Sequence, residues 1–119
     1  MHKIGKTAQV TLEGKRFKLE LAPHHFGKSS IECEGDCPKG WQMPPYFLLQ
    51  NLRNNPKTRV QFGLEDTFEF VQHPDVIART NGYVARFGTG CDGADLNCNR
   101  DEFYKHRYLG VRYAREIPQ

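Results

Sequence analysis

The four cysteines are the side chains whose spacing most clearly suggests chemistry, and they fall in two short pairs. Three residues separate Cys33 from Cys37, six separate Cys91 from Cys98, and fifty-three residues lie between the pairs. A tetrahedral zinc site with four thiolate ligands is built from two such pairs that come together from separate parts of a chain. The pattern therefore predicts a structural zinc ion bound by Cys33, Cys37, Cys91 and Cys98.

Disulfides in an exported chain, or thiols that only pack, are the alternatives for these cysteines. A nucleophilic thiolate is disfavoured because neighbouring carboxylates raise the pKa of a thiol. Seven of the fourteen acidic residues surround the two pairs, which predicts an acidic pole on an otherwise basic molecule. These residues are Glu32, Glu34, Asp36, Asp92, Asp95, Asp101 and Glu102.

The second cysteine pair also contains a weak calcium pattern. Asp95, Asn97, Asn99 and Asp101 place oxygen atoms at alternate positions, as a calcium-binding loop does. Arg100 stands where such a loop needs glycine. Asx-rich segments also form turns in which the side chains bond to their own backbone, so calcium is an alternative cofactor to zinc.

Histidines offer a third route to metal chemistry. His24 and His25 are adjacent, and with Glu32, His73 or His106 they could build the site of a small metal-dependent hydrolase. Adjacent residues of an extended chain place their side chains on opposite sides, so only one of the two rings is expected to face a given site.

A basic sheet face is the predicted working surface. The formal net charge is +3, and the cations left outside the acidic pole favour an anionic partner, either nucleic acid or an acidic protein surface. Outward cations can hold phosphates while an aromatic ring stacks on a base, whereas simple solvation of outward residues is the alternative. The predicted contact residues are Lys18, Arg59, Arg79, Arg86, Tyr108 and Arg112.

Length and composition predict one domain over residues 1–119. No apolar run reaches the ~18 residues that a membrane span requires, so no membrane association is expected. The segment from Met1 to Lys6 lacks the apolar stretch of a secretory signal. A cytoplasmic location is therefore expected, or an extracellular or periplasmic one if the chain is a processed mature form.

The first half of the chain predicts a hairpin, a long loop and one helix. Alternating apolar residues from Val10 to Leu21 surround a turn at Glu13-Gly14, which leaves Arg16, Lys18 and Glu20 facing water. Repeated proline and glycine predict no regular structure over 23–45, a loop pinned by Cys33 and Cys37 with Trp41 packed against the body. The residues from Tyr46 to Asn54 predict a helix.

Strands are predicted after this helix. Alternation in Val60, Phe62 and Leu64 and again in Phe68 and Phe70 predicts two of them. Asn81-Gly82 predicts a hairpin turn within 76–87. A helical turn is expected over 101–105 and a closing strand over 108–117, with Tyr108 and Arg112 outward.

Taken together, these patterns predict a mainly β, α+β fold. An antiparallel sheet, curled into a sandwich or small barrel, carries one short helix and a long cysteine-pinned loop. The expected function is that of a small non-enzymatic binding module with a structural metal or cysteine staple and a basic sheet face. An exported, disulfide-stabilised inhibitor or protein ligand and a small metal-dependent hydrolase are the alternatives.

Overall fold

The computed structural model of the chain describes residues 2–73, 83–90, 93–101 and 103–118. These ranges contain six strands, namely β1 Thr7–Leu12, β2 Lys15–Glu20, β3 Phe68–Val71, β4 Tyr83–Gly90, β5 Gly93–Asp101 and β6 Ala114–Ile117. They also contain three helices, α1 Ser30–Gly35, α2 Tyr46–Asn54 and α3 Pro56–Gln61. None of these helices is long and apolar enough to cross a bilayer.

The strands form two antiparallel three-stranded sheets. The first has the order β1-β2-β6 and the second the order β3-β4-β5. Glu13 and Gly14, both with positive φ, make the tight turn between β1 and β2, as the sequence predicts. The prediction of a mainly β, α+β fold with antiparallel pairing is confirmed.

A main core lies where the two sheets meet α2. The inward residues of β1, β2 and β6 pack there with three leucines of α2 and with Val71, Ala85 and Phe87 of the second sheet. A second cluster draws its buried residues from α1, β3, the segment before α2 and the segment before β6. Its buried members are Cys33, Met43, Phe70, Leu109, Val111 and Tyr113.

Helix α2 has the predicted bounds, but the strand predicted over Val60 to Leu64 is wrong. Those residues begin in α3, where the Asn55 side chain accepts a hydrogen bond from the Lys57 amide and Pro56 occupies the first turn. A capping side chain followed by proline starts a helix efficiently. Phe62 and Leu64 are buried just after it, so their spacing reflects a helix end rather than a strand.

The segment 23–45 is not structureless, which corrects the predicted long loop. Ser29 and Glu32 form a capping box, in which each side chain bonds to the backbone amide of the other, and this starts α1. The Cys33 thiol lies in α1 and is buried. The segment therefore contains a short helix, which repeated proline and glycine did not predict, and a pin at Cys33 and Cys37 stays a prediction.

Near the end of the chain, β6 is shorter than the predicted closing strand. The residues before it make only isolated bridges, from Val111 to His24 and from Gly110 to Glu69. β5 continues through Asp101 as a strand, so no helix begins there. The Asn81-Gly82 turn lies outside the described residues.

Candidate metal centre

Three histidines converge at one edge of the first sheet. Among the described residues, His2, His24 and His25 are the group whose ring nitrogens come within 4.8 Å of one another with a geometry that could hold a metal ion. The rings of His2 and His24 are stacked with centroids 3.9 Å apart, and His25 meets both edge-on. The cluster rests on the ring of Tyr113.

A buried carboxylate holds two of these rings. Glu20 lies at the end of β2 and is only 2% exposed. One of its oxygens lies 3.0 Å from His2 Nε2 and the other 2.6 Å from His24 Nε2. The backbone amides of Gly5 and Tyr113 donate to the same carboxylate. Glu20 was predicted to face water, and the N-terminal segment and histidines that cover it explain why it does not.

The hydrogen bonds keep Glu20 ionised despite its burial. Desolvation acts to raise the pKa of Glu20, but the bonds from His24, Gly5, His2 and Tyr113 together outweigh it and lower the pKa to about 2. Glu20 is therefore a pure hydrogen-bond acceptor at neutral pH. Both His2 and His24 consequently donate from Nε2 to Glu20, and Nδ1 is the ring nitrogen of each that the carboxylate does not engage.

The third ring follows the same pattern with a different carboxylate. His25 Nε2 lies 3.0 Å from Asp36 Oδ2, at the C-terminal end of α1. His25 Nδ1 lies 2.6 Å from His24 Nδ1. If His25 donates a hydrogen bond from Nε2 to Asp36 and carries no other proton, its Nδ1 lone pair faces Nδ1 of His24 across that short gap. A proton held by one of the two Nδ1 atoms, or a metal ion bound by both, would make so short an approach favourable.

Backbone geometry explains how two adjacent histidines reach one site. His24 pairs with Val111 through two backbone hydrogen bonds of 2.8 and 2.9 Å. His25 then adopts φ 58°, a left-handed conformation that turns its side chain back toward His24. The prediction that only one of the two rings faces a site is therefore wrong, because the chain is not extended at His25.

Glycine at position 110 lets this loop approach closely. A Cβ atom on Gly110 would lie 2.7 Å from the His24 carbonyl oxygen and 3.0 Å from the Phe26 ring. Such a contact with backbone is too short to be tolerated without movement. Gly110 thus fixes the depth at which His24 and His25 sit against the sheet.

A cavity of about 400 Å³ opens beside the cluster. His2, Glu20 and His24 form one side of it, and Leu21, Ala22 and Pro23 form an apolar side. The three histidine side chains are partly exposed, at 15–22%. The rings are therefore partly open to solvent beside this cavity.

The predicted four-cysteine zinc site stays a prediction, because Cys91 lies outside the described residues. Cys33 and Cys37 are thiols beside the second core cluster, whereas Cys98 packs against the main core. Desolvation first, and then nearby carboxylates, raises the pKa of Cys33 to about 12 and that of Cys37 to about 11. In the described part of the chain, no metal-ligand group includes these three cysteines.

The residues of the calcium pattern lie on a strand rather than in a loop. Asp95, Asn97 and Asp101 are paired in register with β4. The four residues fall within β5, Gly93–Asp101. Calcium binding by Asp95, Asn97, Asn99 and Asp101 stays a prediction.

The predicted basic face does not assemble as expected, and two of its arginines are buried. Arg112 was predicted outward but is 0% exposed, and it forms a bidentate ion pair with Glu69 at 2.7 and 2.8 Å. It also donates to the carbonyls of Glu20 and Leu21. Arg86 is 5% exposed and lies over the rings of Phe68 and Tyr104.

The other predicted contact residues are scattered. Lys18 is exposed on β2, as predicted. Arg59 lies on α3 rather than on a strand, and its Nε donates to the carbonyl of Arg53. Tyr108 is 61% exposed in a loop and lines a separate cavity of about 620 Å³ together with Phe26. Arg79 lies outside the described residues.

Sequence reasoning missed His2 and Glu20, and it paired His24 and His25 with other residues. Glu32, proposed as their partner, instead caps α1 and pairs with Lys28 and Lys105. A usable signal was present, since Glu20 ends an alternating strand four residues before His24. His2 carries no such signal, because only the folded chain brings it next to Glu20 and His24.

The chain matches no protein-family model, no curated protein and no solved structure. Its function therefore has to be inferred from the side chains themselves.

Proposed function

We propose that this protein is a metal-binding module in which His2, His24 and His25 hold zinc or a similar divalent transition ion. One observation carries the proposal: each of the three rings has Nε2 against a carboxylate oxygen, at 3.0, 2.6 and 3.0 Å. Metal-bound histidines commonly donate their second nitrogen to a carboxylate in this way. Glu20 and Asp36 would then be outer partners that orient the ligands.

The rings of His24 and His25 would fit such an ion with a small adjustment. Zinc binds imidazole nitrogen at about 2.0–2.1 Å, which places two tetrahedral ligands roughly 3.3 Å apart. The two Nδ1 atoms of His24 and His25 are 2.6 Å apart, so binding would part these rings by under about 1 Å. An ion between these two Nδ1 atoms would also remove the repulsion between their lone pairs.

The ion would act as a structural tie. His2 belongs to the segment before β1, whereas His24 and His25 follow β2, so one ion would join both ends of the first hairpin. Ligand binding stabilises the folded state by about 2.7 kcal/mol at a free concentration one hundred times the Kd. For a chain of this size that corresponds to a rise in Tm on the order of 10 °C.

Titration calorimetry with zinc, and absorption spectroscopy with cobalt, test the site directly. We expect one ion per chain and at least a hundredfold loss of affinity in His24→Ala. His106→Ala is the matched control, because His106 is exposed and outside the cluster. Failure of zinc to bind with a Kd below about 1 mM, or equal binding by His24→Ala, would reject the proposal.

Blocking the thiols separates this site from the predicted cysteine site. If zinc stays bound after complete alkylation of accessible cysteines, histidines hold it. Release of the ion on alkylation, with His24→Ala still loaded, would assign the metal to Cys33, Cys37, Cys91 and Cys98 instead.

The adjoining cavity favours a second candidate function, hydrolysis. Zinc held by three imidazoles keeps a position for water, whose pKa it lowers to about 7. The apolar wall of Leu21, Ala22 and Pro23 would accept a small uncharged ester. Zinc-loaded protein should then hydrolyse 4-nitrophenyl acetate above the background of free zinc, and His24→Ala should not. Absence of turnover at full zinc loading would leave the structural role alone.

A further inference from the structure

The outer face of the first sheet carries a group of cations that the metal site does not use. Arg16, Lys18 and Arg115, here called the cationic face, alternate along β2 and β6 with residues that point into the core. Phe17 and Leu19 on β2 are buried, and Ala114 on β6 is buried. Lys18 is the register partner of Arg115. Neighbouring strands lie about 4.8 Å apart, so these two cations stand side by side.

No counter-charge offsets this pair within the described ranges. Neither Lys18 nor Arg115 forms an ion pair there. The partners of β2 on the other side are neutral: Gln9 lies opposite Lys18, and Thr11 lies opposite Arg16. Glu20, the acid of β2 with the same alternation, is buried under the histidines. Within the described ranges, the cationic face therefore presents to solvent two cations, Lys18 and Arg115, that no salt bridge neutralises.

An aromatic ring borders the same face. Gln42 and Ala114 exchange two backbone hydrogen bonds of 2.8 and 2.7 Å in an antiparallel bridge. Side chains alternate along each paired segment, so Trp41 comes beside Arg115 on the outer side. The Trp41 ring packs partly on the second core cluster and is not fully covered. It is the chain's single tryptophan.

We propose that the cationic face and Trp41 bind single-stranded nucleic acid. Cations that track a phosphate backbone, next to an aromatic ring on which an unpaired base can stack, are the features of sequence-tolerant single-strand binding. A duplex offers its phosphates to the cations but keeps its bases stacked inside. An acidic polypeptide would satisfy the cations and give the indole no stacking partner. This proposal does not depend on the metal site.

Fluorescence anisotropy of a labelled single-stranded oligonucleotide, measured against salt, tests the cations. Each phosphate contact to a single strand contributes about −0.7 to the slope of log K against log salt. Three contacts predict a slope of about −2. In the double variant Lys18→Ala/Arg115→Ala the slope should fall to about −0.7, and binding at 0.1 M salt should weaken by more than tenfold.

A charge-matched control distinguishes a defined face from general attraction. Lys57→Ala/Arg107→Ala removes the same two charge types from exposed positions on α3 and in the loop before Leu109. Its affinity should stay within about twofold of the parent. Equal weakening by both double variants, or no binding by the parent at 50 mM salt, would overturn the proposal.

The fluorescence of Trp41 reports on stacking. Oligonucleotide binding should quench it, with the same Kd as the anisotropy change. Polyglutamate of similar length is the second ligand tested. If polyglutamate binds equally tightly and the oligonucleotide leaves Trp41 fluorescence unchanged, the face is a site for acidic polypeptides and the nucleic-acid proposal fails. The experiments are run with zinc and with chelator, and binding should be the same.

Discussion

Glu20 and Glu69 are both buried glutamates on strands, with 2% and 0% of their surfaces exposed, yet their partners differ. Glu69 is bound by Arg112, whose charge is permanent. Glu20 is bound by His2 and His24, whose rings each have a second nitrogen that can bind a proton or a metal ion. Both acids depend on one short segment, since Arg112 holds Glu69 and the Tyr113 amide donates to Glu20.

This difference separates a framework from a site. The Glu69–Arg112 pair joins the two sheets, because Arg112 also donates to the carbonyls of Glu20 and Leu21 at the end of β2. The two side chains of that pair have no exposed surface. Glu20 is tied to rings that are partly open to solvent. His2 and His24 also line a cavity, and this makes their edge of the first sheet the candidate place for a ligand.

The largest effect should come from breaking the framework pair. Arg112→Met leaves Glu69 buried without its cation, and loss of one partner of a buried pair costs about 3–5 kcal/mol. Urea unfolding should show this loss. The double variant Glu69→Gln/Arg112→Met removes the stranded charge and should recover part of the stability. If the double variant loses as much stability as the Glu69→Gln and Arg112→Met variants added together, the pair does not act as a coupled unit.

Acid should lower the free energy of unfolding through Glu20. The pKa of Glu20 is about 2 in the folded protein and near 4.3 in an unfolded chain. The stability from this lowered pKa is complete above the unfolded value and is lost as pH falls from about 4.5 to about 2, by roughly 3 kcal/mol. Metal-free protein should show this loss in urea melts, and Glu20→Gln should show a shallower dependence. An unchanged slope in Glu20→Gln would contradict the assignment.

Gly110→Ala should disturb the site more than the framework. The new Cβ atom would approach the His24 carbonyl to 2.7 Å, and overpacking of this kind costs about 1–3 kcal/mol. Displacement of His24 should also weaken zinc binding at least tenfold. Gly35→Ala is the control, since nothing lies within 4 Å of its Cβ position. Equal zinc affinity in the two variants would show that the loop absorbs the contact elsewhere.

The smallest effect should come from the backbone of His25. A left-handed conformation costs a non-glycine residue about 1–2 kcal/mol, so His25→Gly should stabilise the metal-free protein relative to His25→Ala by about 1 kcal/mol. Both variants lack the ring and should bind zinc equally weakly. Thermal melts with and without zinc measure both effects. If the variants are equally stable without metal, the φ of 58° carries no strain.

Local signals in the sequence predicted much of the framework. The β1–β2 hairpin and the helix from Tyr46 to Asn54 follow from alternation, a Glu-Gly turn and prolines before the helix. The strand predicted at Val60 to Leu64 failed because Asn55 and Pro56 start a helix there, and this capping competes with apolar alternation.

The candidate site was harder to predict because it depends on long-range contacts. Alternation places Arg112 on the outer side of its segment, but no local signal shows that another layer covers that side. Glu20 was misplaced for the same reason. The His24-His25 pair was noticed, yet the turn at His25 follows the bridge that His24 makes to Val111, eighty-seven residues away.

The order of the first sheet sets when this site can exist during folding. β2 lies between β1, its neighbour in sequence, and β6, and the bond from the Tyr113 amide to Glu20 spans 93 residues. A hairpin closes in microseconds, whereas contacts across such a separation form late because loop closure must come first. The set of bonds to Glu20 is therefore completed only after the segment before β6 has docked, and a growing chain that has not yet reached Tyr113 lacks the last of them.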